Sequence, residues 1–211
     1  MDLASFFDIN TIAFTLFDYP MSYLELVGTI FNLWSVWLVG RGKVSNWPIG
    51  LIGVVLFFVL FYQIQLYADT FEQVYYFFTG IYGWWHWSRP ADQAAIKPRY
   101  SSRNYNLLAL GITVFGTLVL AWIIGNIDQW LPQYFPVPAS YVLIDSLTTV
   151  MSFTATILMA QRRIECWYYW ITVDVIAIWL YAVKGTLLVA LLYAIFLVLA
   201  SNGWRLWRKT A

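Results

Sequence analysis

The sequence predicts an all-α integral membrane protein: seven transmembrane helices, built as two parallel three-helix repeats joined by a linking helix (3+1+3), behind an N-terminal interfacial helix. Three observations predict it. Of 211 residues, 61% are hydrophobic, 20% aromatic and only 11% charged; a soluble domain is about 45–50% apolar and about 25% charged. Apolar stretches recur along the chain, each near the roughly 20 residues a helix needs to cross a ~30 Å hydrocarbon core. Basic residues gather at alternate ends of those stretches, as the positive-inside rule requires.

The first element is expected over residues 3–18. Leu3, Phe6, Phe7, Ala13, Phe14 and Phe17 fall on one helical face, and Asp8, Thr11, Thr15 and Asp18 on the other. Such a helix lies in the membrane interface. No basic n-region precedes it, so a cleavable signal peptide is not expected. Spans follow near 22–40, 47–64, 70–88, 105–124, 141–160, 167–184 and 186–204. Arg41 and Lys43 follow the first span, and Arg89, Lys97, Arg99 and Arg103 the third. Arg162 and Arg163 follow the fifth, and Arg205, Arg208 and Lys209 close the seventh. Eleven of the 12 Lys and Arg residues thus share one side, and only Lys184 is on the other. The rule makes that side cytoplasmic, with the N-terminus outside and the C-terminus inside a plasma (inner) membrane.

Residues 25–87 align without a gap on residues 145–207, an offset of 120. Glu25 pairs with Asp145, Trp47 with Trp167, Gly83 with Gly203, Trp84 with Trp204 and Trp87 with Trp207. Leu38, Val55 and Leu60 match Leu158, Val175 and Leu180. The repeats then cover 22–88 and 141–207 of one membrane domain, 1–211, with the linking helix at 105–124 between them. Each carries its basic loop after its first span, so both run the same way through the membrane. Parallel repeats of this kind occur in SWEET-type transporters, with substrate near the midplane between the halves.

The segments ELVGTIFNLWSVWL (25–38), KVSNW (43–47), GLIGVVLF (50–57), FYQIQLYA (61–68), EQVYYFF (72–78) and IYGWWHWSR (81–89) resemble the PnuC vitamin-transporter family. IDSLTTVMSF (144–153), ILMAQRR (157–163) and LASNGWRLW (199–207) extend that resemblance through the second half. It implies seven helices in a three-plus-one-plus-three order. It also implies facilitated diffusion of nicotinamide riboside or, in relatives, of thiamine, riboflavin or a nucleoside, and a homotrimer. Retention would depend on phosphorylation by a cytoplasmic kinase, linked through metabolism. Two positions depart from the family: Cys166 and Asp174 stand where Asn is common.

Asp174 is the leading substrate-binding candidate. It interrupts WYYWITVDVIAIWLYAV (167–183), and a charge at bilayer depth costs roughly 2.5–3.5 kcal/mol on insertion scales. A midplane carboxylate would offset the desolvation of a pyridinium or thiazolium cation. Trp179, Tyr181 and Tyr193 offer aromatic faces to such a ring. Gln73 can both donate to and accept from a carboxamide, and Asn32, near the centre of the first span, offers the same chemistry. Ser152 is the repeat mate of Asn32. Gln63 and Gln65 at the outer turn, and Asn46 and Asn202 at the inner helix ends, are gate candidates.

Other classes fit poorly. A net charge of +1 gives no electrostatic case for nucleic acid. One His, one Cys and one buried Asp form neither a catalytic pair nor a metal site, so no enzyme, metal or cofactor is expected. No G-x-x-x-x-G-K-[ST] pattern is present, so the chain does not itself hydrolyse ATP. A vitamin-binding subunit driven by an energising partner is the remaining alternative.

Overall fold

Helices dominate the computed structural model, which describes residues 2–16, 19–89, 97–134 and 140–211. They are α1 (Leu3–Phe7), α2 (Tyr23–Gly40), α3 (Asn46–Gln63), α4 (Tyr67–Trp87), α5 (Arg103–Trp130), α6 (Val142–Ala160), α7 (Cys166–Val183) and α8 (Leu187–Thr210). Two strands, β1 (Ile12–Leu16) and β2 (Tyr19–Ser22), lie between α1 and α2. Six helices (α2, α3, α5, α6, α7 and α8) are long and apolar enough to cross a membrane. Their outer faces are bare hydrocarbon: Phe115 is 70% exposed, Val198 68% and Trp122 62%. α4 is as long, at 21 residues. Asp69, Thr70, Glu72, Gln73, Tyr75 and Tyr76 make its first half too polar to match the others.

The N-terminus departs from the expected helix over 3–18. α1 has only five residues. Asp2 caps it, accepting from Ser5 N at 2.8 Å. The Asp8 carboxylate then accepts from Asn10 N at 2.9 Å, a side-chain turn that ends helical hydrogen bonding. Ile12, Phe14 and Thr15 are β-branched or aromatic and pair in an antiparallel hairpin, with Phe14 opposite Met21 and Leu16 opposite Tyr19. Phe17 and Asp18, expected on that helix, lie outside the described residues. Phe6 and Phe7 still bury apolar surface, packing on Leu24, Leu56 and Leu60.

Consecutive helices pack as hairpins: α2 on α3 and α3 on α4, then α6 on α7 and α7 on α8, with α5 against α6. The two groups meet where α2 touches α8 and where α4 touches α6. The basic residues collect at the end holding the α2, α4, α6 and α8 C-termini, and Asp69, Glu72 and Asp145 lie towards the other.

At the basic end one arrangement occurs twice, 120 residues apart. A Cβ on Gly83 would sit 2.4 Å from the Trp47 ring, and one on Gly203 would sit 2.4 Å from the Trp167 ring. Trp47 meets Trp87 edge to face at 5.5 Å, and Trp167 meets Trp207 at 5.3 Å. Each second Trp then reaches across to the other helix group. Trp87 Nε1 donates to Ala160 O at 2.8 Å, and Trp207 Nε1 to Val39 O at 3.1 Å. The turns repeat as well. Gly42 and Arg162 share a left-handed backbone (φ 66° and 57°), as do Gln65 and Gly185 (φ 61° and 77°). Each turn needs a left-handed residue; glycine provides it freely, while Arg162 and Gln65 carry a cost of roughly 1–2 kcal/mol.

α5 is fastened to the second group alone by polar contacts. Glu165 accepts from Ser101 N at 2.8 Å and from Asn106 Nδ2 at 3.1 Å. Tyr105 Oη donates to Gln161 Oε1 at 2.7 Å, and Thr113 shares a 3.0 Å bond with Thr154.

Gly83→Ala and Gly203→Ala should each lower the thermal midpoint, since the methyl group must displace a buried indole, an overpacking cost of about 1–3 kcal/mol. Gly111→Ala, with nothing within 4 Å of the new Cβ, should be neutral or stabilising. Thermal unfolding in detergent checks all three.

Candidate functional site

Polar side chains from α4, α6, α7 and α8 come within electrostatic reach of one another where α4 packs on α6, α6 on α7 and α7 on α8, and this cluster is the candidate chamber. The 3.6-residue period places Glu72 and Tyr76 one above the other on α4. From α6, Thr149 Oγ1 donates to Glu72 Oε1 at 2.7 Å, and the Ser152 side chain hydrogen-bonds the Tyr76 hydroxyl. Tyr75 ties the same seam, donating to Phe153 O at 2.9 Å, with its ring tilted 34° to that of Phe153 at 4.1 Å.

α7 contributes Asp174 on its buried stripe with Val173, Ala177 and Leu180. Asp174 is 3% exposed. Tyr181, two turns on, stacks on Tyr193 of α8 with centroids 5.5 Å apart and planes 12° from parallel. The Tyr193 hydroxyl lies in the field of Asp174, Glu72 and Asp69 together. The Tyr181 hydroxyl feels Asp69, Asp145 and Glu72.

Asp69, Glu72, Asp145 and Asp174 thus act on one pair of stacked phenols. Among the described residues none of these carboxylates has a Lys or Arg within ion-pairing distance, and Lys184 acts on Asp145 only at longer range. Four carboxylates with so little countercharge, beside a flat phenol stack, form an arrangement that a cationic aromatic ring would complement. No group of His, Cys, Asp or Glu among the described residues has the arrangement of a metal site.

Several candidates from sequence stand elsewhere. Trp179 is 52% exposed, on the outer face of α7 with Val175 and away from Asp174, because the helical period turns it there. Gln63 is occupied: its Nε2 donates to Phe7 O at 2.7 Å and its Oε1 accepts from Ile9 N at 3.3 Å. It anchors the N-terminal segment over the end of α3. Gln65 is the exposed left-handed residue of the α3–α4 turn. Asn46 closes the α2–α3 turn through Nδ2 to Lys43 O at 2.6 Å. Asn202 is exposed on α8. Asn32 packs its amide against Gly53 inside the first group, where a Cβ would meet Oδ1 at 2.7 Å.

Asp174, Tyr181, Tyr193 and Ser152 do come together. Gln73 is buried on α4 and occupies the position 120 residues before Tyr193. Glu72 and Tyr76 were not expected. The signal was present as Asp69, Glu72/Gln73 and Tyr76 at helical spacing, a polar stripe on one face of a span.

The N-terminal hairpin covers the matching carboxylate of the first group. Tyr19 Oη donates to Glu25 Oε1 at 2.9 Å. Burial and that carboxylate push the Tyr19 phenol up to about 12, so it remains a donor at neutral pH.

Comparison with known proteins identifies relatives of the whole chain. The profile of the family described as nicotinamide mononucleotide transporter matches residues 22–209. The nicotinamide riboside transporter PnuC of Escherichia coli (strain K12) is 33% identical over 210 residues, covering 92% of this chain and 88% of its own. The riboflavin/roseoflavin transporter RibM of Streptomyces davaonensis is 24% identical over 202 residues, covering 94% and 91%. The crystal structure of the vitamin B3 transporter PnuC superposes with a TM-score of 0.67 at 26% identity, covering 89% of this chain and 81% of that one.

Gln63→Ala should release the N-terminal segment without disturbing the helices. Amide exchange at Ile9 should rise by about tenfold for each ~1.4 kcal/mol lost; protection in α3 should hold.

Proposed function

The chain belongs to the nicotinamide mononucleotide transporter family, the PnuC membrane transporters, and on that premise we propose that it carries nicotinamide riboside by facilitated diffusion. The convergence of unpaired carboxylates on the Tyr181–Tyr193 stack carries the reading. Nicotinamide riboside presents a permanently charged pyridinium, which the carboxylates compensate and the phenols stack against. Gln73, buried on α4, is suited to the carboxamide.

The arrangement behind this is seven spans in a 3+1+3 order. α4 counts as a span although it is more polar than the rest, because its Glu72 and Tyr76 face the chamber and not lipid. α2–α4 and α6–α8 form parallel repeats, and α5 links them. Eleven of the 12 basic residues share one end, which makes that end cytoplasmic and the N-terminus external. The paired Trp–carbonyl bonds close the cytoplasmic end, so the chamber takes substrate from outside. Transport inward requires both bonds to part as the repeats rock. No ATP-binding pattern is present in the sequence, and the membrane potential draws a cation inward by about 2.3 kcal/mol per 100 mV. Phosphorylation in the cytoplasm would retain the product.

A second reading, transport of a flavin, is favoured by the similarity to RibM. A flavin would stack on the same phenols, yet it is neutral and would leave the carboxylates uncompensated.

Purified protein should quench its Trp fluorescence on titration with nicotinamide riboside, less with thiamine and least with riboflavin. Liposomes carrying the protein alone should take up nicotinamide riboside without ATP. No uptake of any pyridinium or thiazolium vitamin would sink the proposal. Asp174→Asn should weaken cation binding by about tenfold, or ~1.4 kcal/mol, while Trp179→Ala on the outer face should leave it unchanged.

A further inference from the structure

Glu72 and Asp174 reach the chamber from different helices and from opposite helix groups, yet both act on Tyr193. Their environments differ. Glu72 uses one oxygen to accept from Thr149, and Oε2 accepts no bond among the described residues. Asp174 is 3% exposed and has no hydrogen-bond donor among the described residues. A carboxylate buried to that extent without a donor is expensive in any protein. Its lack of a partner points to a ligand that supplies the missing charge. Glu72 belongs to the same demand. Its field reaches the Tyr76, Tyr181 and Tyr193 hydroxyls, so a ring stacked on the Tyr181–Tyr193 pair would come within that field.

We propose that Glu72 is a second substrate-facing carboxylate, which with Asp174 restricts the chamber to heteroaromatic cations and excludes neutral analogues of the same shape. This rests on the reading that the vitamin is bound in this chamber. Asp174 compensates the ring from α7, and Glu72 from α4 across the seam. A cation stacked on Tyr193 lies within reach of both helix groups at once, whereas a neutral ring offers neither carboxylate a countercharge. Selectivity therefore comes from the penalty on the neutral ligand as much as from attraction to the charged one.

The test compares nicotinamide riboside with its reduced, uncharged dihydropyridine form on wild type, Glu72→Gln, Asp174→Asn, the double variant and Thr149→Val. Glu72→Gln is expected to weaken the cation by about tenfold and to leave the neutral form unchanged or tighter. The double variant is expected to lose most of the preference. Thr149→Val removes the donor but keeps the charge, and is expected to retain the preference. Equal loss for both ligands in Glu72→Gln, or the same profile in Thr149→Val, would make Glu72 an interhelix clasp and overturn the proposal. So would no change in Glu72→Gln. If wild type binds neither form, the nicotinamide riboside assignment fails by itself. The same variants are then read with thiamine against its uncharged dihydro form, and an absent preference there overturns the role of Glu72.

Discussion

The structure depends on the seating of indoles on glycine at the basic end. Trp47 can lie flat against α4 only because Gly83 has no side chain, and Trp167 against α8 only because Gly203 has none. Once seated, each indole buttresses a second Trp, which donates to a backbone carbonyl of the other helix group. Those carbonyls, of Val39 and Ala160, lie in the last turns of α2 and α6. Helix ends leave carbonyls without intrahelical partners; Ala160 O takes its bond from Trp87, and Val39 O adds the Trp207 bond to the one it accepts from Gly42 N at 2.9 Å. One contact thereby packs each group, caps a helix and joins the halves. Gly40 meets Gly203 at the same level, where a Cβ would lie 3.1 Å from Cα, so the backbones of α2 and α8 approach where the Trp pair crosses.

With one end braced, the polar cost of the fold is concentrated in the other half. Asp69 and Asp145 lie in the first turns of α4 and α6, where the helix dipole favours an acid, whereas Asp174 lies mid-helix, where a charge costs several kcal/mol. Thr149 and the tyrosine hydroxyls soften that cost but supply no positive charge. The apolar face of α4 explains how the protein keeps them from lipid. Phe71, 70% exposed, and Phe78, 66% exposed, cover the outside of the helix that carries Glu72 inside. On the proposed reading, a substrate that brings positive charge would complete the electrostatics.

Much of this was legible in the chain. Trp at a constant 120-residue offset was readable because those indoles have fixed seats, and the same offset fixes Gly83 with Gly203. Asp174 stood out because it interrupts a continuous apolar run. The N-terminal hairpin was hidden because Phe6, Phe7 and Phe14 satisfy a helical face as well as a strand, and the deciding Asp8–Asn10 turn is a local side-chain bond. Trp179 was misplaced because a helix that is apolar all round carries no periodic signal to separate its inner from its outer face. Gln63 resembled a polar pore residue, and its true partner is the backbone of a segment more than fifty positions earlier. Glu72 was not singled out, because the depth of a residue in the site depends on where the helices meet, which the chain alone does not show.

The offset also shows how a duplicated scaffold supports a one-sided chemistry. The positions matching Asp174, Glu72 and Asp69 are Val54, Leu192 and Val189. Tyr181 and Tyr193 correspond to Phe61 and Gln73, and Phe61 stacks on Phe57 inside the first group. Only Asp145 keeps an acidic mate, Glu25, and the hairpin's Tyr19 occupies that carboxylate. Bracing and turns are therefore symmetric, while charge is not. Both braces lie at the basic end, one from each helix group to the other. The charge is concentrated on α4, α6 and α7, beside the stacked phenols of α7 and α8. On the reading proposed above, a rocking of the halves would separate Glu72 of α4 from Asp174 of α7. A cation held by both would then lose one of its two compensating charges, and that loss would favour its release.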